Sequence, residues 1–278
     1  MASVALPDAM RGPEKVENRA LSRNVWQWRD LIVMLTWRDI KIRYKQSVMG
    51  FLWAVLMPIL VVGSGLIVMV AFSAMSGKTI DKMDVLAIAV KSVPWAFFIS
   101  AVRFATNSLT ANKELVTKIY FPREILPIAS VLASFFDFAI AASVLTIILC
   151  ITKVGASVYT LWAPALVFLM VVLATGCSLL LACANLFFRD VKYLVEVFLT
   201  YGIFMVPVFY SASRMGKYGV LLLLNPVGPL LESLSATVVW HRAPNLAWLG
   251  YSAVWAFGGL VASWLIFRRT ERLFAENI

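Results

Sequence analysis

Charge is what this sequence has least of. Asp, Glu, Lys and Arg make up 14% of the chain, against about 25% in soluble domains. Hydrophobic residues make up 61%, with a mean hydropathy of +0.84. A water-exposed surface cannot be assembled from that composition, so a soluble fold is excluded and an integral membrane protein is expected. Histidine occurs once, at His241, and the three cysteines, Cys150, Cys177 and Cys183, lie in apolar runs without CxxC spacing. Neither a metal centre nor a disulfide framework is expected, and the cysteines read as small packing residues. The sequence has no GxxxxGK[ST] phosphate loop and no GxSxG nucleophile turn, and its apolar runs hold no paired carboxylates. Catalysis therefore has no residues to carry it. The first 25 residues are polar and lack an apolar core, so no cleavable signal peptide is expected.

What is present is a series of long hydrophobic runs. About 20 apolar residues cross a hydrocarbon core of about 30 Å. Six runs qualify, at about 50–73, 85–107, 128–152, 159–187, 194–210 and 247–267, the fifth closing on a segment, 206–210, that reads as a broken end rather than a clean exit. The fold expected is all-α, with a cytoplasmic tail over 1–24, an interfacial amphipathic helix over 25–46 and a six-span domain over 47–278. In the interfacial segment, Val33, Trp37, Ile40 and Tyr44 share a helical stripe beside Arg38, Lys41 and Lys45. Aromatics in the headgroup layer with cations facing phosphate fit a helix lying on a membrane; a solvated basic helix is the alternative.

The polar residues inside the runs are few. Lys91 is expected to snorkel to the outer interface, and Arg103 to the cytoplasmic one. Asp137, about three turns into the third run, is the costliest polar residue. It reads as an interhelical hydrogen-bonding group, with a direct transport role as the alternative. The short apolar run 218–224 is followed by Asn225-Pro226-Val227-Gly228-Pro229. A re-entrant hairpin within 213–246 or an amphipathic loop would satisfy that pattern.

Orientation follows from the basic residues. Nine of the 25 Lys and Arg precede Gly50, and nine more (Arg103, Lys113, Lys118, Arg123, Arg189, Lys192, Arg268, Arg269 and Arg272) fall on the same side. Seven remain for the other side, so both termini and the loop 108–127 are expected in the cytoplasm. The formal net charge of +10 then marks membrane lipid surfaces rather than nucleic acid. That loop is long enough for a short helix and a turn.

Four blocks carry a resemblance: TWRDIKIRYKQSVMGFLWAVLMP (36–58), PWAFFISAVRFATNSL (94–109), KELVTKIYFPREILPIASV (113–131) and LLNPVGPLLE (223–232). Together they resemble the permease subunit of ABC-type polysaccharide exporters, which carry O-antigen, capsule or teichoic acid chains. KIYFPRE is the most specific block, and Lys91-Ser92-Val93 departs from the more apolar approach the family shows. The resemblance implies a homodimer in the bacterial inner membrane, working in lipopolysaccharide-type surface glycan export. Its partners would be two copies of an ABC ATPase that binds ATP-Mg, with no cofactor on this chain. The cargo would be a polysaccharide on undecaprenyl pyrophosphate.

Carried onto this sequence, the resemblance makes Lys113, Glu114, Lys118, Tyr120, Phe121, Arg123 and Glu124 the ATPase-coupling segment. Arg38, Lys41 and Arg43 become candidates for the lipid pyrophosphate, since ammonium and guanidinium groups suit phosphate oxygens. Trp53, Trp95, Phe98, Tyr201, Asn225, Pro226 and Pro229 become channel or gate candidates. Two rival functions remain open at this stage, a stand-alone channel or secondary transporter and a membrane enzyme of lipid-linked glycan synthesis.

Overall fold

The computed structural model of the chain describes residues 28–45, 52–76, 81–119, 121–271 and 274. The expected tail 1–24, residues 77–80, Tyr120 and Arg272 lie outside them. The described residues form helices and turns only. In chain order these are α1 Arg29–Tyr44, α2 Leu52–Ser76, α3 Lys82–Ala111, the six-residue α4 Lys113–Lys118, and α5 Ile125–Ile151. After a 3-10 turn at Val158–Trp162 come α6 Ala163–Phe187 and α7 Val191–Gly202. A second 3-10 segment, Ala212–Tyr218, leads to α8 Gly219–Leu224, α9 Val227–Val238 and α10 Leu246–Thr270.

Four helical segments are long and apolar enough to cross a membrane: 82–111, 125–151, 158–187 and 246–270. A fifth is added if the bent pair Met215–Leu224 and Val227–Val238, turned by 116°, counts as one span. α3 lies at the centre, packed against α5 on one side and α6 on the other, and α6 pairs with α10. Most of α3 is buried, while α5 and α10 turn most of their apolar surface outward. Exposed Ile147, Ile151, Val254 and Val261 would be an aggregation patch in water and suit hydrocarbon.

Many hydroxyls within the helices bond to their own backbone, as hydrocarbon favours. The hydroxyls of Ser92, Thr106, Ser134, Thr175 and Thr237 each donate to the carbonyl four residues back. α10 starts where the Asn245 side chain accepts from the amides of Ala247 and Trp248, and Arg268 and Arg269 sit in its last turn, favourable at the negative helix end. α6 and α10 approach closely at Gly176, where a Cβ would lie 3.0 Å from the Leu260 nitrogen.

In the run 194–210, whose segment 206–210 reads as a broken end, α7 stops at Gly202, and turns and bends follow to Ser211. Gly202 and Pro207 interrupt it, and Val206, Val208 and Phe209 in the irregular part are buried. Lys91 does not snorkel outward. It is 2% exposed, and its Nζ donates to the Tyr210 carbonyl at 2.9 Å. The irregular segment after α7 supplies its acceptor.

Candidate coupling and translocation sites

One end of the bundle gathers around α4. Its Val116 is 1% exposed and packs with Phe121, Leu109, Ile125, Leu179 and Phe267. Lys113, Glu114, Thr117, Lys118 and Ile119 face outward, with only the weak surface pair Lys118–Glu114 at 3.4 Å. Val116, with the partly buried Leu115 beside it, anchors a short helix whose charged side chains face outward.

The rest of the segment is tied inward. Pro122 turns the chain, and the Arg123 amide donates to Glu271 Oε1 at 3.0 Å while its Nη1 donates to the Glu271 carbonyl at 2.7 Å. Glu124, 5% exposed, accepts from Trp264 Nε1 at 3.0 Å and lies 3.7 Å from Arg268. Phe121 is buried. Burial first, and the nearby Glu124 charge after it, hold the Glu271 carboxyl above its ordinary range; Arg123 and Arg268 oppose that. Sequence reasoning missed Trp264 and Glu271 as partners, because Arg268 and Arg269 registered only as orientation charges.

α1 lies along α5. Its buried face carries Leu35 and Ile40, while Val33, Met34 and Trp37 are exposed beside Lys41 and Lys45. Ile40 therefore faces inward rather than sharing the exposed stripe of Val33 and Trp37. The Arg43 guanidinium donates to Asp137 Oδ2 at 2.6 Å and Ser134 Oγ at 3.1 Å, and stacks 3.9 Å from the Phe104 ring centre. Tyr44 donates to the other Asp137 oxygen. Burial, then the hydrogen bond and charge of Asp137, push the Tyr44 hydroxyl above its usual range. Arg38 pairs with Asp39 at 2.8 Å, and Asp39 accepts from Ser130. Of the three cations assigned to pyrophosphate, Lys41 is exposed with its Nζ over Trp37, Arg38 is half-buried, and Arg43 is committed to Asp137. The interhelical bond read for Asp137 is present, and its partner lies 94 residues away.

Along α3, Arg103 grips Glu196 of α7 through two bonds of 2.7 and 2.8 Å. Asn185, 1% exposed, donates to the Thr106 carbonyl and accepts from the Lys192 amide. That fixes the turn from α6 into α7.

The opposite end holds the α8–α9 bend. The Asn225 side chain accepts from the Val227 amide at 3.1 Å. The free carbonyls of Leu224 and Pro226 accept from Tyr251 at 2.6 Å and Ser252 at 2.8 Å on α10. Pro229 is buried. Glu232 accepts from the Ala212 amide at 2.6 Å, which clamps α9 to the segment before α8. Trp95 is 2% exposed and stacks with Phe98 at 5.9 Å, so that pair belongs to the core, whereas Trp53 and Tyr201 are exposed.

One end of the bundle thus carries a bent helix pair tied to α10, and the other a short helix with exposed charged side chains. Residues 30–239 match the model of the ABC-2 type transporter family, and the chain belongs to that family. Its relatives narrow the class. The chain is 27% identical to the O-antigen export system permease protein RfbA of Myxococcus xanthus, over 93% of this chain and 99% of that one. It is 27% and 25% identical to two RfbA permeases of Klebsiella pneumoniae, each over 89% of this chain and 94% of theirs.

Proposed function

We propose that the chain is the membrane permease of an ATP-driven exporter that moves a lipid-linked polysaccharide of the O-antigen kind across the bacterial inner membrane. The observation that carries this is the likeness to O-antigen export permeases over 93% of its length. Two copies would pair with two copies of an ATPase chain that binds ATP-Mg. Both termini face the cytoplasm in this reading, which the bias of Lys and Arg supports. The crossings are α2, α3, α5, α6, α7 with its irregular continuation, and α10. Burial of Val206, Val208 and Phe209 supports the broken crossing, because irregular backbone is tolerated at membrane depth only against protein. The α8–α9 bend is a re-entrant outer gate, and the satisfied Leu224 and Pro226 carbonyls support that depth.

In this reading α4 seats in a groove of the ATPase through Lys113, Glu114 and Lys118. Phe121, Arg123 and Glu124 fix its base to α10. Lys41 and Arg38 face the lipid pyrophosphate, and Arg43 braces α1 through Asp137. ATP binding draws the two ATPase chains together, shifts the paired α4 helices and opens a path between the permeases for the polymer.

The test is reconstitution in vesicles with and without ATP and the ATPase. The double variant Lys113→Glu/Lys118→Glu is expected to lose ATPase co-purification and export while its thermal unfolding stays at the wild-type value. Full export and normal co-purification in that variant would refute the docking role of α4.

A further inference from the structure

Beside the α8–α9 bend, a cleft of about 330 Å³ opens between α3, the irregular segment after α7, and α9. Asp84, Lys91, Glu232 and Arg242 line it, two charges of each sign, together with Tyr210 and Trp240. The volume is at the low end for small-molecule sites. Lys91 is 2% exposed. Burying an ammonium is costly unless it is well bonded. The Lys91 Nζ is held by the Tyr210 carbonyl at 2.9 Å, and the charged side chains together border an open space.

We propose that the cleft is a saccharide-binding subsite at the outer mouth of the permease, taking a sugar unit of the passing glycan. Sugar hydroxyls both donate and accept, so they match carboxylates and cations set side by side, where a simple anion or cation would meet repulsion from half the lining. Trp240, 39% exposed at the rim, offers an apolar ring face to the C–H side of a pyranose. Glu232 also clamps the hairpin through the Ala212 amide, so a bound sugar would touch the residue that holds the gate. The proposal rests on the glycan-export reading above.

The protein is reconstituted in phosphatidylglycerol nanodiscs and titrated with two probes. One is the oligosaccharide released by mild acid from the source cell's own surface glycan; the other is glycerophosphoethanolamine, a zwitterionic headgroup. The oligosaccharide is expected to bind. Trp240→Ala and Arg242→Ala should each weaken it about fivefold or more, with unchanged thermal unfolding. Trp162→Ala, on another turn, should leave it unaltered. No binding by the wild type, equal binding by both cleft variants, or displacement of the oligosaccharide by glycerophosphoethanolamine overturns the subsite. The vesicle assay separates this from the parent reading: ATP-dependent export that is equal in wild type and Trp240→Ala removes the subsite alone, and absence of export by the wild type removes the exporter.

Discussion

Removing the Asp137 carboxylate should release α1 from the bundle. The substitution Asp137→Ala strands the Arg43 guanidinium against Ser134 and the Phe104 ring and removes the bond that Tyr44 donates to Asp137. Breaking one side of a buried ion pair costs about 3–5 kcal/mol. The side chains of Arg43 and Asp137 keep 14% and 22% of their exposure, so the low end applies, about 3 kcal/mol. That is a shift of roughly a hundredfold in the equilibrium between docked and undocked α1.

The readout is a cysteine at Ile40, which is 6% exposed under α1, in a background where Cys150, Cys177 and Cys183 are replaced. Thiol labelling should be slow in the parent and faster by about two orders of magnitude with Asp137→Ala. The double variant Arg43→Met/Asp137→Leu replaces the pair by apolar groups of similar bulk and should return labelling near the parent rate, because such replacements are close to neutral. Unchanged labelling in Asp137→Ala would refute the bracing role. The double variant also decides what Arg43 does: preserved export leaves it a brace, and lost export with α1 still docked makes it a phosphate ligand.

Three further outcomes are expected. Gly176→Ala should lower the thermal midpoint by a cost of about 1–3 kcal/mol, since its Cβ meets the Leu260 backbone at 3.0 Å, whereas Gly63→Ala meets nothing within 4 Å and is the control for added bulk alone. Glu124→Ala should cost about 1–3 kcal/mol by orphaning Trp264 Nε1, and Glu124→Gln, which keeps an acceptor, should cost less; equal loss in both would contradict the hydrogen-bond account. Glu271 has a raised folded-state pKa, so its folded form holds a proton longer than the unfolded chain. Docking of the Arg123 turn onto it should weaken as pH rises from the ordinary value of 4.5 through the raised one. Glu271→Gln should flatten that slope in a labelling titration of the turn, the facing Glu124, Arg123 and Arg268 being unchanged.

Much of the helical plan was readable from hydropathy. The expected runs 85–107, 128–152 and 247–267 fall inside or within a residue of α3, α5 and α10, and 159–187 covers the 3-10 turn and α6. Length and apolarity decide these cases because few other structures hide 20 apolar residues in lipid. The bend at Asn225-Pro226 was equally legible, since a proline pair after a run of seven apolar residues leaves the chain nowhere to continue. In the run 194–210 the broken end at 206–210 was legible, but the earlier stop of α7 was not, because apolarity alone does not separate a helix from an irregular strand of chain packed on protein. Gly202 was the local sign. Lys91 misled for a related reason: its acceptor, the Tyr210 carbonyl, exists only because that run is broken.

The charged residues near the α4 loop divide along a physical line that sequence contains in part. Arg123 and Glu124 stand between Pro122 and the apolar start of α5, so their backbone is drawn into the bundle and their charges must find partners within it. They find Glu271, Trp264 and Arg268. Lys113, Glu114 and Lys118 flank a single buried residue, Val116, on a helix of six residues, and only their own i,i+4 pairing competes for them. The same division holds on α1, where Arg43 on the face toward α5 is spent on Asp137 while Lys41 on the outer face is not. A cation in an apolar neighbourhood is already paired by its own chain, because leaving it unpaired there costs more than any partner that comes and goes can return. In the proposed reading, the residues left for an ATPase or a lipid phosphate are those that stay at least partly exposed, Lys113, Glu114 and Lys118 on α4 and Lys41 with Arg38 on α1.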